Sequence, residues 1–311
     1  MVQTVLTGAQ LNAFNTTMVA RFNAGLKLGK EDWKQVAKLI GSSSESNTYE
    51  WMSQFPQFIE WVGARNHKLL AARGFVAKNR KFEATIDIPR EKFEDDNYGM
   101  YGDVAEGYGQ SVIDLMNELV FQNIKSAFSS ICYDGQFFFD TDHPIAPNED
   151  GTGAPVLWSN VQIPAVAPAT PNEPWMLLCM ERAAKPFYLQ ERMKPEFVAK
   201  TSAVNSDTVF EKDVFSYGGR WRGEAVNGFW QLAYGSKDVL NAANFQSAFA
   251  AMEKVQGDGN RKLGITPDML VCGPDNRVAA EQLLKAMQNA NGASNINYNK
   301  VKLVVTPWLG L

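Results

Sequence analysis

An apolar stripe longer than an ordinary globular helix runs through residues 107–131, and it limits what the rest of the chain can do. Val112, Leu115, Met116, Leu119, Val120, Ile124, Ala127, Phe128 and Ile131 share one face, with Asp114, Asn117, Glu118, Gln122 and Lys125 opposite. At 1.5 Å per residue such a helix is a rod of about 37 Å, roughly twice the usual length. A rod of that length braces something flat. The aromatic run that follows, Phe137-Phe138-Phe139, reads as a buried strand lying against its apolar face. Gly102, Gly107 and Gly109 precede the stripe. A phosphate-cradling loop would need a buried strand before these glycines and a Lys-Ser or Lys-Thr pair after them; neither is present, so they read as an elbow between hairpin and helix.

Ahead of the elbow the chain reads as an arm and a ribbon. Leu11, Phe14, Met18 and Phe22 recur at spacings of three, four and four, which predicts a helix over 9–25. A second short helix is expected over 31–40, with Trp33, Val36, Ala37 and Ile40 on one side, ending at Gly41 and a serine-rich linker. Both read as helices on a leash. Residues 51–62 crowd large apolar side chains around Pro56, a packing wedge. Phe82, Ala84, Ile86 and Ile88 then alternate with Glu83, Thr85 and Asp87, the pattern of a half-exposed strand. With Gly74-Phe75-Val76-Ala77 before it, Lys78-Asn79-Arg80-Lys81 is expected to be the polar turn of a long β-hairpin. The ribbon is polarised: Lys78, Arg80 and Lys81 form a basic tip, and Glu91, Glu94, Asp95 and Asp96 an acidic base. These are ordinary solvated charges, or the tip of one copy meets the acidic patch of the next. Separated opposite charges favour such head-to-tail association and fix its register.

The stretch 132–144 invites a chemical reading. Asp140, Asp142 and His143 could present oxygen ligands to a divalent cation, or one aspartate could orient the histidine as a base, the core of a metal-dependent hydrolase. Against this, His67 and His143 are the only histidines, and no H-x-x-x-H or H-E-x-x-H spacing occurs. The plainer account is an Asx-type turn in which the aspartates accept backbone N–H bonds and Pro144 stops the strand. No G-x-S-x-G motif is present for nucleophilic catalysis. Cys132, Cys179 and Cys272 form no C-x-x-C pair, so they are expected to be buried free thiols without a disulfide or zinc role.

Composition removes other classes. At 311 residues and 45% hydrophobic content the chain has material for two lobes, or for one core with appended arms. A net charge of −4 lacks the basic footprint of a protein that grips a phosphate backbone. No apolar run approaches the roughly 18–20 residues that span a bilayer, and Met1–Thr7 has no signal-peptide pattern, so a soluble protein made in cytoplasm is expected. No cofactor is implied. Downstream, Phe187–Gln190, Phe197-Val198 and Phe215–Tyr234 read as aromatic strands punctuated by turn glycines. Residues 236–311 read as α/β: a helix through Phe245, Phe249, Met252 and Val255, a strand at 269–272, a helix at 278–287 and a strand at 301–305.

Taken in order, several of these segments are similar to one family. Phe82-Glu83-Ala84-Thr85, Phe93-Glu94-Asp95-Asp96, Cys132-Tyr133-Asp134-Gly135-Gln136 and Phe138-Phe139-Asp140-Thr141-Asp142-His143-Pro144 resemble landmarks of the major head subunit of Mu-like phages and prophages. Gly228-Phe229-Trp230-Gln231-Leu232-Ala233-Tyr234-Gly235-Ser236, Leu263-Gly264-Ile265-Thr266-Pro267 and Val304-Val305-Thr306-Pro307-Trp308-Leu309 continue the likeness. Leu270-Val271-Cys272-Gly273-Pro274 and Gly218-Gly219-Arg220-Trp221 depart from it locally. The resemblance implies an α+β chain with the tailed-phage major capsid fold, Hong Kong 97-like. Its parts would be an N-terminal arm at 1–68, an extended hairpin at 69–97, a peripheral domain with a spine helix at 98–235, and an axial domain at 236–311. It implies no enzyme but a virion component that self-assembles from hexamers and pentamers into an icosahedral shell in the host bacterial cytoplasm. Scaffold, portal and possible decoration proteins would be its partners, and it would enclose DNA without binding it specifically. The metal-dependent hydrolase and another virion structural protein, such as a tail component, are the alternatives.

Overall fold

A computed structural model describes residues 7–49, 75–94, 99–148, 151–166, 168, 171–202, 207–289 and 291–310. The N-terminal stripe is helix α1 (Gly8–Leu28), opened by a capping box in which Thr7 and Gln10 each bond the other's backbone N–H. The helix expected over 31–40 is a single 3-10 turn, Asp32–Gln35, followed by strand β1 (Lys38–Gly41). Trp33, Val36 and Ala37 are buried as their spacing demanded. One turn suffices to bury them, and the backbone then extends to pair in parallel with a later strand, Lys38 opposite Tyr188.

The expected hairpin is built differently. β2 (Ser46–Tyr49) pairs antiparallel with β3 (Phe75–Lys78), and Asn79 alone separates β3 from β4 (Arg80–Pro89). Lys78–Lys81 is therefore not a turn and not a tip. The reason is Asn79, which is buried: its Nδ2 donates to Ser42 Oγ and the Ser44 carbonyl, both at 2.9 Å, and its Oδ1 accepts from Gln190 Nε2 at 2.7 Å. That satisfied amide fixes the point where the chain crosses from the β2–β3 ribbon into a different sheet. The alternation along β4 is as expected, with Ile88 buried and Glu83, Thr85 and Asp87 exposed. The wedge at 51–62, His67, and the hairpin residues from 69 to 74 lie outside the described residues.

After the short α2 (Arg90–Glu94), the long helix α3 runs from Met100 to Ser126, about 40 Å at 1.5 Å per residue. It starts a turn and more before the expected 107, with Gly99 left-handed at φ +67° just ahead of it. The glycines are thus inside the helix, not an elbow. Gly109 faces α1: a Cβ there would lie 2.1 Å from the Phe22 carbonyl oxygen, and one on Gly25 would lie 1.9 Å from that of Glu106. Bare backbone on both sides lets the two helices touch where they pass. Far from being leashed, α1 packs along α3. The polar face of α3 holds a surprise as well, because Asn117 is buried and its amide holds the chain ahead of β1, accepting from Trp33 N–H at 2.9 Å and donating to the Lys30 carbonyl at 2.8 Å.

Phe137-Phe138-Phe139 is not a strand. The N–H groups of Phe138 and Phe139 bond the carbonyls of Ser130 and Ala127, so the chain folds back onto the end of α3 and buries both rings. Extended structure resumes at β5 (His143–Ile145), which pairs with β6 (Val156–Trp158). There follow β7 (Val161–Gln162), β8 (Trp175–Leu178), β9 (Phe187–Lys200), α4 (Asp207–Lys212), β10 (Val214–Asn227) and β11 (Ala233–Ser236). The last third contains α5 (Ala242–Lys254), a small ribbon of β12 (Gln256–Gly257) and β13 (Arg261–Lys262), β14 (Met269–Cys272), α6 (Arg277–Lys285) and β15 (Lys302–Val305).

Two larger sheets result. One has the order β1-β9-β10-β4, and α1 and α3 cover it; Phe22 of α1 stacks on Phe197 of β9 with ring centres 4.7 Å apart, and Phe197 on Tyr217 of β10 at 5.9 Å. The other has the order β15-β14-β8-β11-β7. Its three inner strands, Trp-Met-Leu-Leu, Met-Leu-Val-Cys and Ala-Tyr-Gly-Ser, are buried at every residue, as strands covered on both faces must be. The residue 235/236 division does not coincide with the limits of this sheet, which draws β7 and β8 from 161–178. The four apolar residues of β8 lie between β14 and β11, antiparallel to both.

Candidate functional site

The histidine segment forms a closed polar network around a different acid from those expected. His143 is fully buried, its Nδ1 2.7 Å from Asp134 Oδ2, and its ring is stacked on Trp230 at 4.0 Å. The other oxygen of Asp134 accepts from Cys132 Sγ at 2.9 Å and from the Gln136 N–H at 3.1 Å. Burial pushes the Asp134 carboxyl up, but the His143 hydrogen bond and charge, with the Cys132 and Gln136 donors, outweigh it and hold the group below the usual carboxylate range. Burial, then the Asp134 charge, pushes the Cys132 thiol far up. A thiol so held is no nucleophile.

Asp140 and Asp142 do not join the histidine. Asp140 accepts the N–H groups of Phe137 at 3.1 Å and Thr141 at 2.7 Å, the Asx-type turn, and Asp142 is exposed. Cys132, Asp134 and His143 do lie within 4.8 Å of one another. Their spacing is that of hydrogen bonds, and both carboxylate oxygens are already engaged. On the far side of the ring, Asn160 Oδ1 faces Nε2 at 3.2 Å and accepts from the Asp140 N–H at 2.9 Å, while its Nδ2 donates to the carbonyls of Phe138, Trp230 and Ala233. Asn160 had no local signature in the sequence: it sits at the corner between β6 and β7, and only the fold brings it to the histidine. The network ties the turn after α3, the β5–β6 ribbon and the approach to β11 together. It is a clasp, not a reaction centre.

The charged candidates for association are scattered. Arg80 forms a two-pronged pair with Glu224 of its own sheet, Nη2 donating to Oε1 at 2.9 Å and Nε to Oε2, and the Glu224 hydrogen bond raises its pKa. Lys78 Nζ lies 3.6 Å from Glu45, both exposed, and Lys81 is exposed opposite Arg222. Glu91 is exposed on α2 and Glu94 ends that helix; Asp95 and Asp96 lie outside the described residues.

Among the described residues a long helix lies on a four-stranded sheet beside a second, five-stranded one, and the histidine cluster is spent on hydrogen bonds within the fold, the arrangement of a structural subunit. Comparison with known proteins makes this specific. The family described as Mu-like prophage major head subunit gpT matches residues 11–309, and the chain belongs to it. It is 38% identical to the major capsid protein of Escherichia phage Mu over 98% of this chain and all of that one. Among solved structures it is similar to the procapsid of bacteriophage JBD30, with a TM-score of 0.85 and 40% identity over 97% of this chain and 100% of the other. The JBD30 capsid decorated with minor capsid protein trimers gives 0.73 and 29%, covering 89% and 90%. The chain is a major capsid protein with the tailed-phage fold, not an enzyme, and the hydrolase alternative has no support.

Proposed function

We propose that this capsid subunit builds its shell from rings of five and six copies, assembled in the host bacterial cytoplasm with a scaffold and a portal. The observation that carries this is the likeness along nearly the whole chain to a protein solved within a procapsid. The β1-β9-β10-β4 sheet with α1 and α3 serves as the peripheral unit. The β15-to-β7 sheet serves as the axial unit, made of 236–311 with β7, β8 and the start of β11 added, while α1 and β1, expected in an arm at 1–68, and β4, expected in a hairpin at 69–97, are taken into the peripheral unit. The decorated JBD30 shell supports a trimeric minor capsid protein as an outside partner. An acidic chain suits a wall that encloses DNA without gripping it.

Within this scheme, Lys78 and Lys81 are the cations to meet Glu91, Glu94, Asp95 or Asp96 of a neighbour: Arg80 is held by a two-pronged pair with Glu224, whereas the Lys78–Glu45 pair is long at 3.6 Å and exposed on both sides, so it gives way readily. Native mass spectrometry of the isolated subunit is expected to give pentamers and hexamers. Lys78→Glu with Lys81→Glu is expected to leave folded subunits that no longer close into shells. Rings of any other order would defeat the ring assignment, and normal shells from the double variant would defeat the charge contact alone.

A further inference from the structure

The ring of His143 stands between two oxygens whose own bonds are already fixed. On one side Nδ1 lies 2.7 Å from Asp134 Oδ2, and on the other Nε2 lies 3.2 Å from Asn160 Oδ1. The Asn160 amide admits one orientation. Its Nδ2 donates to the carbonyls of Phe138, Trp230 and Ala233, and its Oδ1 accepts the Asp140 N–H; turning it over would set an oxygen against three carbonyls and a nitrogen against a donor. An amide oxygen therefore faces Nε2, and only an N–H satisfies it there. Asp134 makes the same demand at Nδ1. Its Oδ1 takes the Cys132 thiol and the Gln136 N–H, and these donors together with the histidine hold the carboxyl below its usual range, so the proton on the 2.7 Å contact belongs to the ring. A neutral imidazole has one N–H and cannot serve both sides.

We infer that His143 is a buried imidazolium, protonated on both nitrogens, and that this one charge holds the clasp shut between the turn after α3 and the five-stranded sheet. A fully buried cation needs a counter-charge, and Asp134, its side chain 10% exposed, supplies one, while the face of Trp230 stacked at 4.0 Å supplies a second stabilising surface. The other titratable groups around the ring do not compete for it. Burial opposes ionisation of Cys132 and Tyr133, Asp140 turns its carboxylate to the N–H groups of Phe137 and Thr141, Asp142 is exposed, and Asp258 accepts the Ala146 N–H just beyond β5. β6 and the Trp230–Leu232 turn contain no charged residue. Removing one proton sets the lone pairs of Nε2 and Asn160 Oδ1 face to face, and the locked amide cannot turn to relieve them. The clasp must then part at Asn160, which leads directly into β7 and whose carbonyl accepts the Gly235 N–H of β11.

His67 is the only other histidine, so the ring can be observed by itself. Full-length, unassembled subunits labelled with nitrogen-15 in histidine alone are examined by proton–nitrogen NMR at about pH 7.5, some way above the pH at which a free imidazole gives up its proton. His67→Gln leaves the His143 signals alone, and the reciprocal His143→Gln identifies them by their disappearance should the first variant not fold. Two protonated ring nitrogens are expected; a bare Nδ1 or Nε2 would overturn the inference. Asp134→Asn removes the counter-charge, so the ring should keep a single proton there, and two protons in that variant would overturn the pairing. Raising the pH of the wild type until the second proton leaves should speed hydrogen exchange at the Asp140 and Gly235 N–H groups beyond ordinary base catalysis. Exchange that ignores the loss of the proton would show that the charge does not hold the clasp.

Discussion

Replacing Gly109 by alanine puts the helix-crossing argument to a quantitative test. In an exposed helix interior a Gly→Ala change stabilises by about 0.8–1 kcal/mol, since the unfolded chain loses freedom. At Gly107, where nothing lies within 4 Å of the added Cβ, that gain should appear in full. At Gly109 the same methyl would sit 2.1 Å from the Phe22 carbonyl oxygen, 2.8 Å from the Leu26 nitrogen and 3.0 Å from the Gly25 Cα, all main-chain atoms that no rotamer change can move aside. Relief requires α1 to back away from α3 by about 1 Å, and overpacking of this kind costs about 1–3 kcal/mol. The two alanine variants should therefore differ by about 2–4 kcal/mol with opposite signs. Urea unfolding of unassembled subunits, followed by tryptophan fluorescence, measures both. Equal stabilisation at 107 and 109 would refute the close passage of α1 over α3, and with it the claim that the N-terminal helix is part of the core.

Asp134→Asn should change the acid limb of stability. The Asp134 carboxyl titrates below its unfolded value near 3.9, so its contribution is present above that pH and disappears as pH falls through the lower folded value. The variant should be less stable at neutral pH yet flatter below pH about 4; an unchanged pH profile would remove Asp134 from the clasp. Asn117→Ala should cost about 1–3 kcal/mol by stranding the buried Trp33 N–H, read in the same urea experiment, and a loss below about 0.5 kcal/mol would show that water replaces the amide.

What the sequence disclosed and what it hid follow from the range of the forces involved. Periodic burial is local, so α1, α3, α5 and α6 were legible from spacing and the strand at 269–272 from its apolar run, while the aromatic segments at 187–190, 197–198 and 215–234 marked β9, β10 and β11 without giving their limits. Main-chain pairing is not local. The run at 82–88 was readable as a strand, but its partner lay more than a hundred residues away in β10, and nothing near Asn79 announced that the chain changes sheets there. The second helix failed for a related reason: Trp33, Val36 and Ala37 fit a single turn as well as a full helix, and the open edge of β9 decided the rest. Glycines misled because both an elbow and a close helix contact require them, and only the neighbouring backbone tells the two apart. At the histidine, sequence proximity favoured Asp140 and Asp142, whereas the tight turn at Gly135 brought back Asp134.

Electron cryo-microscopy of particles formed by the purified chain, or recovered from cells producing it, tests the central claim most directly. A closed icosahedral shell is predicted, with this chain repeated over its wall and α3 lying along the β1-β9-β10-β4 sheet in every copy. A folded protein that stays as a small monodisperse species with its scaffold present, or that forms tubes or a minor component on a wall made by another chain, would contradict it.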